Sequence, residues 1–215
     1  MTVDFIKLRQ KMVEMQLAGR DIRDENVIEA FLQVPRELFV IEKYRYNAYD
    51  DSPLPIGYGQ TISQPYIVAK MTELLNLCKN DILLEIGSGS GYQAAIASKL
   101  CKFIYSIELI PELAKFAKDN LKKAGIDNVK VVCGDGGFGL KEFAPFDKII
   151  ITAAVEKVPL ELFNQLNDDG CIVVPEGPMH TQQLVKYKKL KNKIDKEIYF
   201  NCIFVPLRGD KGFKE

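Results

Sequence analysis

Histidine is nearly missing from this chain, with a single residue, His180, among 215. It falls in a Gly177-Pro-Met-His180 turn that reads as surface loop, so chemistry built on an imidazole base is disfavoured. Net charge is missing too. Lysines plus arginines number 29 and aspartates plus glutamates also number 29, which leaves no global field to draw the protein toward nucleic acid or a membrane surface. No apolar stretch approaches the ~20 residues that span a bilayer, and residues 1–9 carry no basic segment leading into an apolar run. The expectation is a soluble, cytoplasmic protein. Cys78, Cys101, Cys133, Cys171 and Cys202 stand apart, without a Cys-x-x-Cys pair, and read as reduced core thiols rather than metal ligands. Internal repeats and low-complexity tracts are absent as well.

What remains is enough for one substantial α/β core, while two independent domains would be cramped in 215 residues. Residues 1–65 read as two helices and a covering loop, 66–178 as the core, and 179–215 as a β-rich segment. Phe5, Leu8, Met12 and Met15, then Val27, Ile28 and Phe31, recur at helical spacing before Pro35. Residues 51–65 have no helical period and too much proline for a central strand. A helix from Pro65 follows, and then strands and helices alternate. Strands are expected at 82–86, 103–107, 129–133, 147–152 and 171–174, with helices at 93–100, 111–124 and 159–166. Near-continuous apolar strands in that alternation predict a mostly parallel sheet with helices on both faces. Residues 183–190 and 198–207 look like a closing antiparallel pair, and Lys186, Lys188, Lys189, Lys191 and Lys193 like a solvated hairpin.

The most informative stretch is Leu83-Leu-Glu-Ile-Gly-Ser-Gly-Ser-Gly-Tyr92, a buried strand breaking into a glycine-rich turn ahead of a helix. Glycines let backbone pass close to a ligand while the helix points unpaired amides at it. Tyr92 stands where a dinucleotide fingerprint would have glycine, which favours S-adenosylmethionine over NAD. In parallel sheets ligands sit beyond the carboxyl ends of the strands. Glu108 ends the second strand, where it can accept from ribose hydroxyls. Asp135 ends the third, where it or its neighbour can meet an adenine edge. Glu85, inside the first strand, has two open readings: capture of a cofactor ammonium, or a bond to loop amides that shapes the turn. Thr152 to Ala154 end the fourth strand with small residues beneath the cofactor's reacting end.

Leu54-Pro-Ile-Gly-Tyr-Gly-Gln-Thr-Ile-Ser-Gln-Pro-Tyr66, Leu84-Glu-Ile-Gly-Ser-Gly-Ser-Gly-Tyr-Gln-Ala-Ala95, Gly134-Asp-Gly136, Ile203-Phe-Val-Pro-Leu207 and Arg36-Glu-Leu-Phe-Val40 resemble the protein-L-isoaspartate O-methyltransferase family over almost the whole chain. Gly-Gln-Thr-Ile-Ser-Gln-Pro is the specific part. Ser88, Ile41 and Ile203 depart from the family's commoner residues. The resemblance implies a Rossmann-like class I S-adenosylmethionine-dependent methyltransferase with antiparallel C-terminal strands and an N-terminal helical extension. It implies a cofactor site of Gln60, Thr61, Ile62, Ser63, Glu85, Gly87, Ser88, Gly89, Ser90, Gly91, Glu108, Asp135 and Gly136. Ser63 would be the active-site hydroxyl, although a serine just before Pro65 and a helix can equally cap amides. Tyr58, Gly59, Thr61, Val205 and Leu207 are the candidates for substrate contact, with residues 203–208 as a strand edge for an extended peptide.

The implied reaction, methyl esterification of the α-carboxyl of L-isoaspartyl residues in damaged proteins and peptides, begins their repair. A carboxylate with a reference pKa of ~4 is already anionic at neutral pH, so transfer from a sulfonium needs alignment and exclusion of water rather than a strong base. The alternative, a methyltransferase acting on RNA or a small molecule, loses ground because the chain has neither an Asn-Pro-Pro-Tyr motif nor a basic excess. No metal, nucleic acid or membrane partner is expected.

Overall fold

The structure, a computed structural model, describes residues 3–191 and 193–214. Met1, Thr2, Asn192 and Glu215 lie outside them, and with Asn192 part of the expected lysine-rich turn. The N-terminal layer begins with α1 (Phe5–Met12), capped by Asp4 accepting from the Lys7 amide at 3.1 Å and continued by a wider π-helical stretch, Val13–Ala18. Asp24 caps α2 (Glu25–Gln33) by accepting from the Asn26 amide at 2.9 Å. Residues expected to be plain loop instead form a small hairpin, β1 (Leu54–Gly57) with β2 (Gln60–Ile62). Its two-stranded sheet tolerates Pro55 because the proline sits on an exposed face of an edge strand. Tyr58 and Gly59 turn it with φ of +55° and +70°. Helix α3 (Pro65–Leu75) starts on its proline, whose missing N–H has no partner to lose there.

The alternating segments follow: β3 (Ile82–Ile86), α4 (Tyr92–Ala97), β4 (Phe103–Glu108), α5 (Pro111–Lys123), β5 (Val129–Cys133), β6 (Phe146–Ile151), α6 (Leu160–Asn164), β7 (Leu166–Glu176), β8 (Gln182–Leu190) and β9 (Lys193–Cys202). They form one seven-stranded sheet in the order β5-β4-β3-β6-β7-β8-β9, parallel through β7 and antiparallel beyond it. Register explains why the central strands are apolar at consecutive positions. Leu84, Ile149 and Ile172 lie in one row and pack with Leu140, Phe146 and Leu162 on one face. Leu83, Ile104, Ile150 and Val173 pack on the other with Met71 and Leu75 of α3 and Ala94 of α4. Each buried aliphatic or aromatic side chain contributes about 1.5–3 kcal/mol.

Other expectations change too. Strand β7 begins at Leu166, which pairs with Phe146, and so takes residues assigned to a longer helix. The last strand ends at Cys202 rather than running to 207. Beyond it the chain leaves the edge and crosses the end of β6, where the Ala154 amide donates to the Val205 carbonyl and the Leu207 amide to the Ala154 carbonyl, each at 2.8 Å. Cys78 and Cys133 are exposed rather than core thiols, although all five cysteines are free. Lys189 is only partly solvated: its Nζ donates to the carbonyls of Phe163 and Leu166 at 3.1 and 2.6 Å, closing the end of α6. His180 lies, as read, in an exposed turn.

Tyr92 connects the two layers. Fully buried at the start of α4, its ring lies 6.0 Å from that of Phe31 and 5.5 Å from that of Phe39. The residue that breaks the dinucleotide fingerprint is therefore the anchor of the N-terminal helices. Phe146, fully buried at the head of β6, measures the core on the other face. Phe146→Ala should lower the unfolding free energy by about 3–5 kcal/mol, read as a lower urea midpoint at constant m-value. A loss below about 1 kcal/mol would contradict this packing.

Candidate active site

Strand order reverses at β3, whose neighbours β4 and β6 carry the chain off in opposite directions, and a crevice of about 590 Å³ including open space lies beyond their carboxyl ends. Part of its wall is backbone and small side chains, from Gly87 and Gly89 after β3, Gly136 after β5, and Thr152 and Ala153 after β6, and apolar side chains such as Ile86, Ile107, Leu109 and Ile110 make up much of the rest. Gly87 has φ +96°, and a Cβ there would stand 2.5 Å from Thr152 Oγ1. At Gly136 a Cβ would stand 2.5 Å from Ile86 Cγ2. These two positions must stay bare for the crevice to exist.

The glycine loop is fixed by hydrogen bonds. The Gly87 amide donates to the Ile107 carbonyl at 2.8 Å, and Thr152 Oγ1 donates to the Gly87 carbonyl at 2.6 Å. Glu108 stitches two loops together, Oε2 accepting from the Gly89 amide at 2.8 Å and Oε1 from the Ile110 amide at 3.0 Å. A carboxylate has about four acceptor sites, so its remaining lone pairs stay free toward the crevice that it lines. Bare backbone, a small floor and one anchored carboxylate fit an adenosyl group with its ribose diol.

Two further cavities adjoin. One, of about 400 Å³, is lined by Ile62, Ser63, Ser88, Ser90 and Tyr92 among others. The larger, of about 1000 Å³ including open space, is lined by Pro53, Ser63, Gln64, Ile67 and residues 201–205. Thr61 and Thr152 line all three, so the crevice and the outer cavity share a wall. The outer cavity has hydroxyls and amides from Thr61, Ser63, Gln64 and Asn201, and among the described residues no Asp, Glu, His, Lys or Arg is on its wall. Its one thiol, Cys202, is pushed up to about 11 by burial and stays protonated.

Of the expected site residues, Gln60, Thr61, Gly87, Gly89, Glu108, Gly136, Val205 and Leu207 line the crevice. Ile62, Ser63, Ser88 and Ser90 line the inner cavity instead. The serine hydroxyls of the loop face the protein: Ser88 shares a 2.5 Å hydrogen bond with Ser106, and Ser90 accepts from the Tyr92 amide at 3.3 Å. Ser63 caps nothing, since α3 has no side-chain cap and the Ser63 hydroxyl makes no hydrogen bond among the described residues. Glu85, Gly91, Asp135, Tyr58 and Gly59 line none of the three cavities. Gly91 (φ +86°) begins α4 where a Cβ would meet the Ala117 carbonyl of α5 at 3.3 Å. Asp135 accepts from the Gly137 and Asp210 amides, each at 2.8 Å, and so pins the C-terminal tail while Gly136 fronts the crevice. Tyr58 is 53% exposed at the hairpin tip, and a Cβ at Gly59 would stand 3.5 Å from Arg208, a crevice residue. Leu207 faces the crevice and not the outer cavity. Ile86, Ile107, Leu109 and Ile110 line the wall without having been expected, while Arg208 belongs to the expected 203–208 edge. Leu109 and Ile110 follow Glu108 directly, which was their only signal.

Residues 7–212 match the profile of the family described as protein-L-isoaspartate(D-aspartate) O-methyltransferase. A protein-L-isoaspartate O-methyltransferase of Methanoculleus marisnigri is 46% identical over 96% of this chain and 94% of its own length. One of Opitutus terrae is 51% identical over 94% and 88%. Among solved structures, a Plasmodium falciparum protein described as a protein-L-isoaspartate O-methyltransferase, in complex with S-adenosyl-L-homocysteine, superposes with a TM-score of 0.81 at 27% identity, covering 96% of this chain and 99% of that one.

Among the described residues, Glu85 makes no bond to the loop amides. It shares a register row with Ser106, which donates to it, and faces the α4 side of the sheet, where one carboxylate oxygen has no hydrogen-bond partner. Burial pushes its carboxyl up to about 8, opposed by the bond from Ser106. The folded protein thus keeps a proton that the unfolded chain, with a reference value of 4.5, has released. Stability falls as pH rises between those values and levels off above them. In the cofactor-free protein, Glu85→Gln should therefore gain on the parent by more than about 1 kcal/mol between pH 5 and pH 8, measured by urea denaturation. A constant difference across that range would mean that Glu85 is ionised in the fold.

Proposed function

The chain belongs to the protein-L-isoaspartate(D-aspartate) O-methyltransferase family, and from that membership we propose how its three cavities divide the work. It is an S-adenosylmethionine-dependent enzyme of protein repair, moving a methyl group to the α-carboxyl of L-isoaspartyl residues in damaged proteins and peptides. The crevice takes the cofactor, with Gly87, Gly89 and Gly136 giving it backbone to lie against and Glu108 accepting from its ribose hydroxyls. Gln60 and Thr61 cover it from the hairpin. Ser88, Ser90, Gly91 and Asp135 act behind this surface by holding the loops in shape. When bound, the cofactor supplies a methyl group on a positively charged sulfur.

The outer cavity takes the isoaspartyl residue. One observation carries this assignment: Thr61 and Thr152 form the wall between the cofactor crevice and an uncharged cavity. An acceptor carboxylate needs no proton removed, and the cavity offers no base to remove one. Hydroxyls of Thr61 and Ser63 and the amides of Gln64 and Asn201 orient the acceptor without a fixed countercharge. That suits a group whose charge disappears on methylation, because a tight ion pair would stabilise the ground state above the transition state. Cys202 is a competing nucleophile only as a thiolate, and its burial suppresses that form. Val205 separates the cavities, and the Tyr58–Gly59 tip covers the crevice mouth beside Arg208.

Residues 1–215 act as one unit, since the N-terminal helices bury Phe31 and Phe39 against Tyr92 of the cofactor layer. Five free cysteines suit the reducing cytoplasm as the place of work. No helix among the described residues is long and apolar enough to cross a membrane, and none of their His, Cys, Asp and Glu side chains cluster as a metal site. The test is labelled methyl transfer to an isoaspartyl peptide with its aspartyl twin as control. Labelling of the isoaspartyl peptide alone is expected. Equal labelling of both, or of neither, would refute the acceptor assignment.

A further inference from the structure

Arg36 is the most deeply buried cation of the chain, at 0% exposure, and it has no ion-pair partner among the described residues. Burying an unpaired guanidinium costs several kcal/mol, so the contacts that hold it there need an account. Its Nε donates to the Ala48 carbonyl at 2.7 Å and its Nη2 to the Ser63 carbonyl at 2.7 Å, while Nη1 has no partner. Its Cζ lies 4.7 Å from the centre of the Tyr92 ring, and Tyr92 lines the same inner cavity as Ser63. One side chain therefore grips the N-terminal layer, the segment bearing Ser63 and the residue that opens the helix after the glycine loop.

The grip reaches the residue that carries an untethered hydroxyl. Ser63 lies between the end of β2 and Pro65, outside any helix or strand, and its Oγ is tied to nothing among the described residues. With no hydrogen bond to hold it, Oγ is placed by the position of the Ser63 backbone together with its χ1 rotamer, and the bond from Arg36 to the Ser63 carbonyl is the side-chain restraint on that backbone position. A guanidinium suits the task because its planar fork serves two carbonyls at once while its face rests on a ring. A charged donor also binds a carbonyl more strongly than a neutral one.

We propose that Arg36 is a positioning residue of the methyl transfer: through the Ser63 carbonyl it aims the Ser63 hydroxyl at the acceptor, without touching acceptor or cofactor itself. The inference rests on the reading of Ser63 given above, and the experiment separates the two. Transfer to the isoaspartyl peptide is measured for the parent, Ser63→Ala, Arg36→Lys and the double variant, with S-adenosylhomocysteine affinity and melting temperature for each. Arg36→Lys should lower kcat/KM for the peptide by about tenfold or more, the scale expected for a misplaced reacting geometry, with cofactor affinity changed less than about twofold. In the Ser63→Ala background the same substitution should cost less than about a further twofold, because no hydroxyl remains to be aimed. Equal losses in both backgrounds, or a lower melting temperature with unchanged kcat/KM, would overturn the positioning role and leave Arg36 a structural residue. An Ser63→Ala variant as active as the parent would refute the Ser63 reading and the inference with it, whereas an active parent that ignores isoaspartate would refute the acceptor assignment alone. If Arg36→Lys does not fold, Arg36→Gln, which keeps a neutral donor, is read by the same criteria.

Discussion

The reversal of strand order at β3 is the constraint on which the rest of this protein depends. Parallel strands leaving to opposite sides cannot be closed over by their own connections, so the sheet must keep an opening above β3, β4 and β6. Everything chemical gathers there: bare glycine backbone at Gly87 and Gly136, the anchored carboxylate of Glu108, and the small floor of Thr152 and Ala153. Thr152 shows how economical the arrangement is. Its amide donates to the Ile86 carbonyl and its hydroxyl to the Gly87 carbonyl, and the same residue lines all three cavities.

The N-terminal layer turns this general crevice into a particular enzyme. Methyl transfer to an anion asks for collinear placement and dryness, not for a proton relay. The layer supplies those through the β1–β2 hairpin and Ser63, which with the C-terminal segment following β9 enclose an uncharged cavity beside the crevice. Tyr92 and Arg36 carry the mechanical load between this layer and the sheet. On this account the residues around the acceptor mostly do not bear charge, and the charge that is present lies buried behind them.

Much of this was legible from residue pattern. Strands at 82–86 and 129–133 agree to the residue, because an apolar run bounded by turns has one way to lie in a sheet covered on both faces. The glycine loop and Glu108 were legible because a bare backbone position and a strand-end carboxylate have few other uses. The misreadings share a cause, which is partners distant in sequence. Lys189 was read toward solvent, yet it closes α6. Residues 203–207 are apolar like a strand, and backbone bonds of Val205 and Leu207 go to Ala154 rather than to an extension of β9. Arg36 was visible only as part of a resembling stretch, because no local pattern announces a buried cation that binds carbonyls.

The central claim is that geometry replaces proton transfer in the chemical step. The solvent deuterium isotope effect on single-turnover methyl transfer to an isoaspartyl peptide, with cofactor saturating, tests it most directly. No proton is in flight in the transition state described here, so rates in light and heavy water should agree within about 20%, in keeping with the absence of general acid–base catalysis. A rate slower by about twofold or more in heavy water would place a proton in motion at the barrier and contradict the account.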